Sequence, residues 1–106
     1  MATIENSYKW TFTSTGTSTD VYDCKGYAQG LTFGYETTPD CTASIQVLHR
    51  MGTPSGPFSV LSTTVLSTGA FTTDQYMGPL EFVTLRVTDK TANSTSIVTV
   101  FLKGHG

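Results

Sequence analysis

Charge is scarce in this chain. Asp, Glu, Lys and Arg make up 13 % of its 106 residues, about half the share of an average globular domain. Enzymes draw their acids and bases from such groups, so the scarcity speaks against catalysis and for binding. The net charge is −2, with no block of like charge. Neither a nucleic-acid footprint nor a basic membrane face is present, and neither partner is expected. No apolar run approaches the ~20 residues of a membrane-spanning helix. The start, Met1-Ala2-Thr3-Ile4-Glu5-Asn6, lacks the basic and apolar regions of a signal peptide, so synthesis in a cytoplasm is expected.

Cysteine and histidine are equally sparse. Two cysteines, Cys24 and Cys41, are too few for a disulfide framework. They could pair if their strands are neighbours, or remain as two thiols, which a reducing compartment favours. Zinc wants about four Cys, His or carboxylate ligands, and His49 and His105 lie far from both cysteines in sequence. Asp20, Asp23 and Asp40 fall at turns, where Asp belongs on conformational grounds alone. No metal and no cofactor is expected. His49 beside Arg50 reads as a solvated rim, and no Gly-rich phosphate cradle, HExxH or nucleophile elbow is present. Asn93-Ser94-Thr95 matches a glycosylation acceptor but reads as a polar hairpin loop.

What the chain has instead is hydroxyl. Thr and Ser fill 31 of 106 positions, and β-branched Thr suits a half-wet pleated surface better than a helix. Period-two alternation recurs to match. Tyr8, Trp10 and Phe12 form one aromatic face, and Val21 and Tyr22 begin a short strand. Leu31, Phe33 and Tyr35 alternate with Thr32, Gly34 and Glu36. Ala43, Ile45, Val47 and His49 share a face, as do Val83, Leu85 and Val87. Residues 51–57, rich in Gly and Pro, form a protruding connection. The echo Val60-Leu61-Ser62-Thr63, Val65-Leu66-Ser67-Thr68 reads as two strand segments around a kink. Leu80 and Phe82 are out of phase with Val83, which predicts a β-bulge near Phe82. In a last strand over 97–102, Val98, Val100 and Leu102 fill one face while Ile97 and Phe101 make the other apolar. That is a pattern of burial on both sides, either under a second layer or against another subunit as an oligomer face. The expected fold is all-β: an antiparallel, jelly-roll-like β-sandwich of seven to nine short strands over residues 8–106, preceded by a flexible arm over 1–7.

The aromatics Tyr8, Trp10, Tyr22, Tyr27, Phe33 and Tyr35 read first as core. An exposed sugar-stacking or partner-binding platform is the alternative, with Tyr22 and Tyr27 near the Lys25-Gly26 break as the exposed candidates.

The C-terminal half carries a pattern. Ser44-Ile45-Gln46-Val47-Leu48, a Gly/Pro loop, Phe58-Ser59-Val60-Leu61, Gly69-Ala70-Phe71 and the run Gly78-Pro79-Leu80-Glu81-Phe82-Val83-Thr84-Leu85-Arg86-Val87-Thr88 follow one another. Across residues 43–104 this resembles small virion proteins of tailed bacteriophages, in which a strand, an exposed loop and an aromatic precede an Arg-centred strand and a Thr/Val-rich last strand. Gly56-Pro57-Phe58 stands where such proteins often carry a DG-x-W turn. The resemblance implies a capsid decoration (cement) protein on the exterior of the virion, bound to the major capsid protein, often as a homotrimer. It implies no enzyme activity. Candidate partner-binding residues are Ile4 in the arm, Tyr22, Tyr27, Arg86, and Ile97 and Phe101 on the second face of the last strand. The alternative function is a carbohydrate- or receptor-binding module of a tail or fibre, which would expose Trp10 or several Tyr in a shallow groove.

Overall fold

The computed structural model describes residues 7–24, 29–76, 80–91 and 95–105. Among them are nine strands and no helix: β1 (Ser7–Phe12), β2 (Gly16–Thr17), β3 (Tyr22–Asp23), β4 (Gly30–Thr37), β5 (Ala43–Arg50), β6 (Ser59–Leu66), β7 (Phe71–Tyr76), β8 (Phe82–Lys90) and β9 (Val98–His105). They form two antiparallel sheets. Sheet A has the order β1-β9-β4-β7. Sheet B has β2-β8-β5-β6, with β3 also on β8. Taking β2 and β3 as one interrupted strand gives the eight-strand, doubly crossed order of a jelly roll. The all-β sandwich expected from alternation is the fold found.

The alternating residues meet between the sheets. Trp10, Phe12, Leu31, Phe33, Tyr35, Val98, Val100 and Leu102 come from sheet A. Ala43, Ile45, Val47, Leu66, Val83, Leu85 and Val87 come from sheet B. Trp10 also ties the layers together by hydrogen bonding. Its Nε1 donates to the Asp20 carbonyl at 2.9 Å, and Thr84 Oγ1 of β8 donates to the same oxygen at 2.9 Å. The short segment between β2 and β3 is thereby pinned against β8.

Several expectations need correction. Phe82 begins no bulge: β8 runs in unbroken register with β5 from Phe82↔Arg50 to Val87↔Ile45. Phe82 and Val83 are both buried, but Phe82 lies outside the intersheet core that holds Val83. The bulge sits instead at Thr88, skipped between Val87↔Ile45 and Asp89↔Ser44. The echo after Phe58 is not two segments around a kink: Val60 to Leu66 lie in one strand, β6, regular between the two copies. The irregularity is a bulge inside the first copy at Leu61, skipped between Ser62↔Val47 and Val60↔Leu48. Ile97 precedes β9 rather than belonging to it; its N–H donates to Thr38 Oγ1 at 3.1 Å and its carbonyl accepts from Thr38 N at 3.0 Å. Phe101 is 39 % exposed, so the last strand is not buried on both sides within the chain. Ser7, placed at the end of the arm, already pairs with Lys103. The rest of the arm, Ile4 included, lies outside the described residues.

Cys24 and Cys41 are buried free thiols. Tyr22 and Asp23 pair across β8 at the level of His49 and Arg50, whereas Cys41 precedes Ala43 at the other end of β5. A strand of that length separates them by roughly 25 Å, far beyond disulfide reach. Cys24 Sγ donates to the Glu81 carbonyl at 3.1 Å. Burial first, and then the Asp23 and Glu81 carboxylates, push this thiol from 9.0 up to about 12. Burial shifts the Tyr35 and Tyr76 hydroxyls upward as well. Each group stays protonated when folded but ionises when unfolded, so stability is full below about pH 9 and falls as pH rises towards 12. Chemical denaturation from pH 7 to 11 should show that decline, shallower in Cys24→Ala. A Cys24→Ala profile parallel to wild type would remove the thiol from this account.

Candidate functional site

On the outer side of sheet A the strand register lines up three rows. Ser7, Lys103, Thr32 and Gln75 form the first, and Lys9, Phe101, Gly34 and Thr73 the second. Thr11, Thr99, Glu36 and Phe71 form the third. The middle row is built around a missing side chain. A Cβ on Gly34 would stand 3.1 Å from Phe71 Cζ and 3.8 Å from Phe101 Cβ. The Phe71 ring therefore lies diagonally over the β4 backbone, in space that any other residue would fill. Phe71 is 59 % exposed and Phe101 39 %. The two rings and the glycine floor line an open groove of about 460 Å³.

Polar groups rim it. Lys9 and Lys103 stand on the β1–β9 side, and both line the groove. At one end Thr32 Oγ1 and His105 Nε2 are 2.8 Å apart, and Gln75 Nε2 reaches the same hydroxyl at 3.5 Å. The arrangement offers apolar contact to a ring or aliphatic chain and ammonium or hydroxyl donors to an oxygen-bearing ligand. Its volume falls in the range typical of small-molecule sites, but its openness to solvent suits an extended surface as well.

Of the partner-binding candidates among the described residues, Phe101 alone lies in this groove; Tyr8 and Phe33, from the aromatics offered as a platform, border it as well. Tyr22 is half-buried on β3, its ring 5.6 Å from Tyr8 and 6.4 Å from Trp10, completing an aromatic cluster at the sandwich edge. Arg86 is on β8 in the other sheet, where Nε and Nη2 donate to Gln46 Oε1 of β5 at 2.9 and 2.6 Å. That makes it a cross-strand clamp. Ile97 is half-buried beside Thr38, and Tyr27 lies outside the described residues. Trp10, offered as a platform residue under the carbohydrate reading, is 2 % exposed and belongs to the core.

His49 and Arg50 are not a loose rim. His49 Nε2 accepts from Glu81 N at 3.0 Å, which occupies the nitrogen a general base would use. Arg50 Nε and Nη1 donate to the carbonyls of Thr53 and Pro57 at 3.0 and 2.9 Å, and hold the Gly/Pro loop. Gly56, at φ +120°, passes so close that a Cβ would meet the guanidinium carbon at 2.7 Å. Among the described residues, no three His, Cys, Asp or Glu side chains gather as metal ligands do.

Phe71 escaped the sequence reading because its strand alternates ambiguously: Phe71 and Tyr76 sit at opposite parity, so neither face is consistently apolar. The available signal was Gly34, a glycine at an outward position of a strong strand, which marks close approach of another group.

No family model and no curated protein matches the sequence. Similar solved structures exist at fold level. PirA superposes with a TM-score of 0.57 at 16 % identity, covering 98 % of this chain and 97 % of its own. The SPBc2 prophage-derived protein YomS gives 0.51 at 17 % identity, covering 97 % and 96 %. This chain is thus a small β-sandwich protein whose fold is shared, end to end, with a protein carried by a prophage.

Proposed function

We propose that this chain is a structural protein of a bacteriophage virion, a decoration protein that attaches to the major capsid protein on the shell's exterior. The observation that carries this reading is the groove of Phe71, Gly34 and Phe101 on an otherwise hydroxyl-rich sheet face. Two exposed rings flanked by lysines form a compact centre of the kind that dominates binding energy, and the surrounding Thr hydroxyls add uncharged hydrogen-bonding groups to the rim. The fold likeness to a prophage-derived protein and the resemblance of residues 43–104 to phage virion proteins point the same way. Trimers around three-fold positions of the shell are the arrangement that resemblance implies. The work is adhesion, and it asks for no acid, base or nucleophile.

The test is occupancy. Virions of the phage encoding the chain should contain it in many copies by quantitative mass spectrometry. Adding purified protein to shells that lack it should restore those copies. Phe71→Ala/Phe101→Ala should fold, by circular dichroism, yet lose at least about tenfold in affinity for the shell, as removal of a hot spot does. Absence from virions would sink the virion reading. Undiminished attachment by the double variant would sink the groove as the attachment face.

A second reading is favoured by the same groove. Rings across a glycine floor with Lys, Thr and Ser donors around them also suit a sugar, so a receptor-binding role in a tail or fibre is the competing proposal. Selective binding on a glycan array, lost in Phe71→Ala, would favour it.

A further inference from the structure

Sheet B ends in an unprotected strand. β6 is its outermost member, paired with β5 on one side, and along its eight residues, Ser59 to Leu66, there is no charge and no proline. Val60 and Val65 are 48 % and 75 % exposed. Natural edge strands are commonly blunted by lysine, proline, shortness or a bulge. The other described edges carry such devices: Lys9 on β1, Asp74 on β7, and a length of two residues in β2 and β3. β6 has its bulge at Leu61, which leaves residues 62–66 regular and bare.

The register says which backbone groups are free there. The Thr42 carbonyl accepts from Thr91 N, on the β8 side of β5. Alternation along β5 then turns Ala43, Ile45 and Val47 towards β6, where they face Leu66, Thr64 and Ser62. Thr63 and Val65 consequently point their N–H and C=O groups away from the sheet. A row of free donors and acceptors at that spacing fits another β-strand.

We propose that β6 pairs antiparallel with β6 of a second copy about a two-fold axis at Thr64. In that register Thr63 of each copy exchanges both backbone hydrogen bonds with Val65 of the other, and Thr64 faces Thr64 across the axis. The pairing stays within the regular segment 62–66 and clears the bulge. Self-pairing sets β-branched Thr63 against Val65 and brings no like charges together, because β6 has none to bring. Registers shifted towards Ser59 run into Leu61 and lose the alternation. β9, the assembly face expected from sequence, has both edges occupied, by β1 and β4, so it offers no such pairing. The groove on sheet A takes no part, so the pair in free protein stands or falls independently of attachment to a shell and of the trimer arrangement there.

The full chain should sediment at tens of micromolar with twice the 11.4 kDa chain mass. Thr63→Pro removes only an outward-pointing N–H, which an edge strand tolerates, and should return the protein to monomer with its circular dichroism unchanged. Val65→Lys gives an independent route to the same result if the proline variant misfolds. Thr64→Cys should form an intermolecular disulfide under mild oxidation, since non-hydrogen-bonded partners stand about 4.5 Å apart between Cα atoms. Thr63→Cys should crosslink at least about tenfold more slowly. A wild-type monomer at 100 µM overturns the proposal. So does a dimer that survives both Thr63→Pro and Val65→Lys, or one that Thr63→Cys traps faster than Thr64→Cys.

Discussion

Replacing Trp10 by alanine is expected to remove most of the stability of the domain. The side chain is the largest in the core and 2 % exposed, and aromatic-to-alanine changes at such sites cost about 3–5 kcal/mol. Domains of this size hold roughly 5–15 kcal/mol in total. The loss goes beyond volume, because the indole N–H is one of two donors that hold the Asp20 carbonyl and with it the β2–β3 segment against β8. Trp10→Phe separates the two effects. It keeps much of the buried area, gives up the hydrogen bond, and should cost about 1–2 kcal/mol. In that variant the amides of Ser18 and Cys24, which donate to Leu85 and Glu81, should exchange faster than those of β4 and β9. Urea denaturation and hydrogen exchange read both. A loss below about 1 kcal/mol for Trp10→Ala would mean that the intersheet core does not depend on it.

Gly34→Val is expected to act in the opposite sense, nearly silent in folding and severe in attachment. Gly34 has no positive φ, so a side chain is allowed there, and a β-branched residue suits a strand. Its Cβ would press on the tip of the Phe71 ring, which is exposed and can swing away. Stability should therefore change by no more than about 1 kcal/mol. The groove floor, however, would be filled and the two rings driven apart. Affinity for the shell should fall by at least about tenfold, with Gly34→Ala intermediate. Undiminished attachment by a folded Gly34→Val protein would show that the ligand does not enter the groove.

Much of the fold was legible because a strand's two faces are written in its own residues. Leu31, Phe33 and Tyr35, or Val83, Leu85 and Val87, declare their inward side locally, and each of these faces lies in the core. What lies beside a strand is not written in it. The groove draws Gly34, Phe71 and Phe101 from three strands that are distant in sequence and become neighbours only through the sheet order β9-β4-β7. Arg86 looked like a free anchor because nothing in Leu85-Arg86-Val87 reveals that Gln46 faces it across β5. The bulges at Thr88 and Leu61 escaped for a related reason. A bulge is a mismatch between two strands, and single-strand alternation was a poor guide to it, pointing to Phe82 instead.

The pairing of β1 with β9 governs how the protein can be made. Ser7 meets Lys103 and Phe12 meets Val98, so of the nine described strands the earliest made pairs with the latest made. Until β9 has cleared the exit tunnel, β1 has no described strand to pair with, and β4 lacks one of its two flanks. Sheet B suffers no such delay on its β5–β6 side, where a hairpin can close as soon as it emerges. Synthesis therefore presents the cell with a half-built sandwich whose aromatic strand is bare. Completion of sheet A on the β1 side waits for β9, a long-range pairing of the kind that folds slowly and leaves strand edges open meanwhile.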